Sequence, residues 1–181
     1  MPRMATADQV QDLLEKMREE RAALVAVAST LDERSAEVRP PDGTGEDAWS
    51  AKEQLAHLTG MEVSYRAWVE RALVEERPDV TTGTQPDPVR YPMEHAHEPS
   101  VSEHMAELAQ QRERTLDLIA RLTPDQYERT ASNSNFGELT VLQWLRSYYR
   151  HDRMHAAQMQ GRQSDYRPRF LRGEPDQRRQ A

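Results

Sequence analysis

Four segments of the chain each begin with a Ser or Thr followed three residues later by Glu or Gln: Thr6/Gln9, Ser50/Glu53, Ser100/Glu103 and Thr140/Gln143. In this pattern the two side chains satisfy backbone N–H groups that the first turn of a helix leaves without partners, so each pair marks a helix start. Apolar residues with a period near 3.6 follow every one of them. The first stripe is Val10, Leu13, Leu14, Met17, Leu24, Ala28 and Leu31, and the second is Leu55, Leu58, Met61, Tyr65, Trp68 and Ala72. Met105, Leu108, Thr115, Leu118, Ile119 and Leu122 make the third; Val141, Trp144, Leu145, Tyr148 and Met159 make the fourth. The pattern predicts helices over 7–34, 50–77, 101–122 and 140–161, with no proline inside any of them, as a helix interior requires. Five of the 11 prolines fall between Pro78 and Pro99, a stretch too long for a tight helical hairpin and long enough to run the length of a bundle. The expected fold is all-α: an up-down-down-up four-helix bundle, with a long crossover between the second and third helices. A short helical turn is expected at Thr123–Gln126, leading into a polar loop at Ser132–Asn135.

Composition narrows the class further. Only 29 of 181 residues are Leu, Ile, Val or Phe, a poor supply for a sheet, but their helical spacing still permits a core. No apolar run is long enough to span a membrane and no apolar leader is present, so a cytoplasmic protein without membrane attachment is expected. With no cysteine, any thiol chemistry must use a thiol from outside. A net charge of −7 argues against nucleic acid as a partner, which needs a basic surface. Residues 1–161 read as one bundle domain and 162–181 as an Arg-rich C-terminal tail.

The chemistry points to histidine. His151 and His155 are four residues apart, on one face of the fourth helix and inside its apolar stripe. Two buried imidazoles need partners, because an unpaired buried polar group costs about 1–3 kcal/mol. A satisfied core pair would meet that need, and so would a metal. His57, on the flank of the second stripe, can complete a set of three nitrogens if the second and fourth helices are neighbours. Glu53 and Asp152 lie within a turn of these histidines and are candidates to orient imidazole N–H groups. Tyr148 is a candidate pocket hydroxyl. His95 and His97 lie in the crossover, where they could form a second site or cover the first but are expected to be solvated loop residues, and His104 opens the third helix with a surface role expected.

The run Trp49-Ser50-Ala51-Lys52-Glu53-Gln54-Leu55-Ala56-His57-Leu58, then Gly137-Glu138-Leu139-Thr140, then His151-Asp152-Arg153-Met154-His155 resembles the DinB-like (DinB/YfiT) superfamily over most of residues 1–161. The resemblance implies an up-down-down-up four-helix bundle with a divalent metal, zinc or nickel, on His57, His151 and His155. It also implies a small-molecule substrate, a low-molecular-weight thiol as cosubstrate, and a homodimer. Two functions follow. One is a metal-dependent enzyme, a thiol-dependent S-transferase or a related hydrolase or isomerase acting on a small electrophile. The other is a non-catalytic metal-binding module for stress response or interaction, whose ion mainly ties helices together.

Overall fold

The computed structural model describes residues 5–166. Four long helices carry the fold: α1 (Ala7–Ala28), α3 (Ala51–Val74), α4 (Val101–Ile119) and α5 (Val141–Met159), with the short α2 (Glu33–Ala36) after α1. All four capping boxes form, with Thr6, Ser50, Ser100 and Thr140 each accepting from the backbone N–H three residues on. Helix α1 stops earlier than its stripe suggests. The Ser29 and Thr30 hydroxyls donate back to the Val25 and Val27 carbonyls, and Asp32 then caps a new start by accepting from Ser35 N–H at 2.7 Å.

The expectation of an all-α chain is corrected by a small antiparallel hairpin, β1 (Thr130–Asn133) and β2 (Gly137–Thr140), where a polar loop was expected. Gly137 closes its turn at φ +78°, a conformation that strains any residue with a Cβ. The chain leaving α3 joins this hairpin: Val80 N–H donates to Ser132 O at 2.8 Å and Ser132 N–H to Pro78 O at 2.9 Å. The helical turn expected at Thr123–Gln126 sits slightly later, at Gln126–Glu128.

Two apolar clusters fill the interior. One gathers Leu13 and Met17 of α1, Tyr65, Val69 and Ala72 of α3, Leu118 and Ile119 of α4, and Val141 to Tyr148 of α5. The other gathers Leu24 and Ala28, then Ala51, Leu55 and Leu58, then Val101 and Leu108, and finally Ala156. In every long helix one charged residue falls between the two sets. Arg21 of α1 bridges Glu62 of α3 (2.7 Å) and Asp152 of α5 (3.0 Å), and Arg112 of α4 bridges the same two carboxylates at 2.7 and 3.0 Å. Two cations and two anions balance, and the spare guanidinium protons reach the carbonyls of Leu108 and Met17. Burial alone would lower the pKa of Arg112, but Glu62 and Asp152 more than offset it and raise the value.

The Arg-rich tail expected from 162 begins as packed chain. Tyr166 is buried and Asp165 pairs with Arg153. The remainder, from 167 on, lies outside the described residues. No helix among the described residues is long and apolar enough to cross a membrane.

Candidate metal centre

Helix α3 presents His57 less than two turns from its capped start, and α5 presents His151 and His155 one turn apart, facing it. The Nε2 atoms of His57 and His151 are 3.2 Å apart, and those of His155 and His151 are 3.1 Å apart. His155 and His151 are buried, and His57 shows one edge to solvent. The Nδ1 of His155 lies 3.2 Å from Gln54 Oε1, which can only accept, so Nδ1 carries the proton and Nε2 turns its lone pair toward the other two rings. Trp49 closes over the group, its ring 4.7 Å from that of His57 and parallel to that of His155 at 6.5 Å.

Burial holds all three imidazoles neutral. His57 is pushed down to about 3, by desolvation and then by the charge His151 would carry. Desolvation lowers His151 to about 4, against an opposing pull from Glu62. His155 falls well below its ordinary value for the same reason, reinforced by His151 and His57. Three neutral rings that aim lone pairs at one point repel one another unless a cation or a shared proton lies between them. Bonds of about 2.0–2.1 Å from one ion would place ligand nitrogens about 2.9 Å apart at right angles and about 3.4 Å apart in a tetrahedron. The two separations from His151, 3.1 and 3.2 Å, lie between these limits, and the third pair stays within 4.8 Å, so the donor set can hold a divalent ion.

A fourth group completes the cluster that the histidine spacing did not reveal. Glu46, on the helical turn Gly45–Ala48, holds Oε1 3.7 Å from His57 Nε2 and Oε2 4.0 Å from His155 Nε2. All four donor atoms lie within 4.8 Å of one another. Desolvation, with Asp47 second, raises the Glu46 carboxyl. An acid in an irregular loop has no periodic signature, and only the Ser50 box nearby indicates that the loop ends beside α3.

The other candidates are directed elsewhere. Glu53 accepts from Ser50 N–H at 2.8 Å and pairs with Arg39, whose guanidinium holds it down to about 2. Asp152 belongs to the buried quartet with Arg21 and Arg112. These carboxylates fix the start of α3 and the middle of α5 and leave the imidazole N–H groups to other partners. The Tyr148 hydroxyl donates to Glu62 O at 3.1 Å inside the bundle, away from any pocket. His95 pairs with Glu98 at 2.7 Å and His97 lies 3.8 Å from Glu53, so the structure does not bring either to the three histidines. His104, expected on the surface, is buried: its Nε2–H donates to Ala96 O at 2.8 Å and anchors the end of the segment between α3 and α4.

Beside the histidines opens a cavity of about 910 Å³, bordered by His57, His151 and Glu46 at one end and by the hairpin turn at the other. The segment between α3 and α4 contributes Val80, Thr81, Thr84 and Pro86 to its wall, so the lining comes from the start of that segment and not from Tyr91–His97.

Among solved structures the chain is similar to YfiT from Bacillus subtilis, described as a probable metal-dependent hydrolase with an unusual four-helix bundle topology. The TM-score is 0.67 at 19% identity, covering 89% of this chain and 90% of that one. It is also similar to a mycothiol-dependent maleylpyruvate isomerase, with a TM-score of 0.61 at 13% identity, covering 83% of this chain and 60% of the isomerase. No curated protein sequence matches. The family model of the DinB superfamily matches residues 8–159, nearly the whole described bundle. The chain belongs to the DinB superfamily.

Proposed function

We propose that the protein is a metal-dependent enzyme holding a divalent ion, zinc or nickel, on His57, His151 and His155, and acting on a small electrophilic substrate with water or a low-molecular-weight thiol. The observation that carries this reading is the convergence of three imidazoles, with His151 Nε2 3.1–3.2 Å from the Nε2 atoms of His57 and His155, beside an open cavity of about 910 Å³. An ion serving only to tie helices needs no pocket at its side, whereas a catalytic ion needs room for exchangeable ligands. Bound on three uncharged ligands, such an ion keeps its full charge and can acidify a water or thiol and polarise a substrate oxygen. Glu46 is placed to accept the proton that the attacking water or thiol gives up, and Trp49 shields the histidines from bulk water. With no cysteine in the chain, the thiol comes from solution, in keeping with a neighbour named as mycothiol-dependent.

We also propose that the helices run up-down-down-up, with the long connection between α3 and α4 crossing the bundle. The grouping of the starts of α1 and α5 with the ends of α3 and α4 in one cluster supports that order.

The test is metal analysis of wild type, Glu46→Gln and His57→Ala, with turnover of a generic electrophile in the presence of small thiols or of water alone. Glu46→Gln should keep the ion and lose most turnover, and His57→Ala should lose both. Stoichiometric metal with no turnover under any thiol would leave the ion as a tie between α3 and α5.

A further inference from the structure

His57, Met61, Ser64 and Trp68 are spaced 4, 3 and 4 apart, so one face of α3 runs from the candidate metal centre into the cavity. Eleven residues separate His57 from Trp68, a rise of about 16 Å. At the far end Trp68 meets Phe136 of the hairpin turn, with centroids 6.3 Å apart, and Tyr65, at 5.4 Å. Val80 and Pro86 of the crossover form the facing wall.

This far end differs from the metal end in charge. The charged groups bordering the cavity are Glu46, Asp47 and Arg162; Asp47 is engaged by Gln158 Nε2 at 2.9 Å, and Arg162, just past the end of α5, donates to Gln160 Oε1. Around Trp68 and Phe136 the wall polar groups are neutral, and several are used within the wall. Thr81 Oγ1 accepts from Ser134 N–H at 2.8 Å, Asn133 Oδ1 from Asn135 N–H at 2.9 Å, and Thr84 Oγ1 from Arg71 at 2.8 Å. An ionised group placed there would lose its hydration, and the guanidinium behind Thr84 is already paired with Glu75. An aromatic or branched apolar group would instead pack against the Trp68, Phe136 and Val80 side chains that line this end.

We propose that the Trp68–Phe136–Val80 wall is a subsite for an uncharged apolar portion, aryl or branched alkyl, of a substrate whose polar head lies at the histidines. This assigns a substrate class to the same site and rests on the proposed function for the head alone. A cavity of about 910 Å³ is near the top of the range for small-molecule sites, far more than a two- or three-carbon substrate occupies.

The experiment has two arms read by isothermal titration. In the metal-loaded protein, 2-naphthohydroxamate should bind at least tenfold more tightly than acetohydroxamate, and a 6-carboxylate on the naphthyl ring should remove that gain. In metal-free protein, 2-naphthol should bind and weaken at least fivefold in Trp68→Ala and in Phe136→Ala, with Trp68→Phe restoring most of the affinity. Thermal melts of each variant confirm folding, and Phe136, on a turn, gives a route that does not open a helix interior. Equal affinity for the two hydroxamates in wild type, or 2-naphthol binding untouched by both alanine variants, overturns the subsite. Acetohydroxamate affinity that is the same in His57→Ala as in wild type overturns the metal reading of the head alone, and the 2-naphthol arm still decides the subsite.

Discussion

Neutral histidines make the metal-free protein sensitive to acid. His57 titrates at about 3 and His151 at about 4, below the 6.5 of an unfolded imidazole. Between those values the unfolded chain binds protons that the folded chain refuses, so stability is lost as pH falls below about 6.5. At pH 5 the loss should be roughly 2 kcal/mol for each of these imidazoles, seen by urea denaturation of chelator-treated protein at pH 7 and pH 5. His151→Ala should flatten part of that dependence, and an unchanged slope would show that the rings are not buried together. The same burial delays proton competition for the ion: unperturbed histidine ligands begin to release metal near pH 6.5, whereas here the onset should lie lower. His151→Ala and His155→Ala should each abolish stoichiometric zinc or nickel, as measured on dialysed protein, because two remaining ligands compete poorly with water.

At the level of elements, the long connection between α3 and α4 divides into parts with different duties. Its start, Val80 to Pro86, lines the cavity and is clamped by Arg71, which donates to Asp79 O at 3.1 Å and Thr82 O at 2.8 Å. Its end is pinned by His104. A deletion within Thr81–Asp87 should therefore raise KM severalfold with little change in melting temperature, since loop closure depends weakly on length. His95→Ala/His97→Ala should leave metal content intact, and lost metal would bring those histidines back to the site. The helices were legible because capping boxes and 3.6-residue stripes are local signals, and the histidine trio was legible because His151 and His155 interrupt such a stripe. The hairpin was not, because four-residue strands such as Thr130-Ala131-Ser132-Asn133 are too short and polar to display alternation, and their pairing is decided by the chain at Pro78–Val80. Glu46 was hidden for a related reason: its place is set by Trp49 and the Ser50 cap, not by any period of its own.

For the whole molecule, the Arg21–Glu62–Arg112–Asp152 quartet joins all four long helices. Arg21, Arg112 and Asp152 each fill a gap in an apolar stripe, as Arg112 does between Leu108 and Thr115, whereas Glu62 sits beside Met61 in an unbroken stripe and leaves no such trace. Removing one partner strands the others, so Arg112→Met should destabilise by about 3–5 kcal/mol in urea denaturation. Replacing all four by apolar residues of similar volume should cost far less, and a large loss in that variant would mean the charges add stability beyond balancing one another. Helix α1 packs most extensively on α5, and Arg21 finds Asp152 131 residues later. During synthesis at roughly 5–20 residues per second, α1 therefore waits on the order of 7–26 s for its counterpart to be made, with its apolar face uncovered and its arginine unmatched. A nascent chain halted before α5 has neither this packing nor the later two histidines, so an ion held at the proposed site would be captured among the last events in the protein's birth.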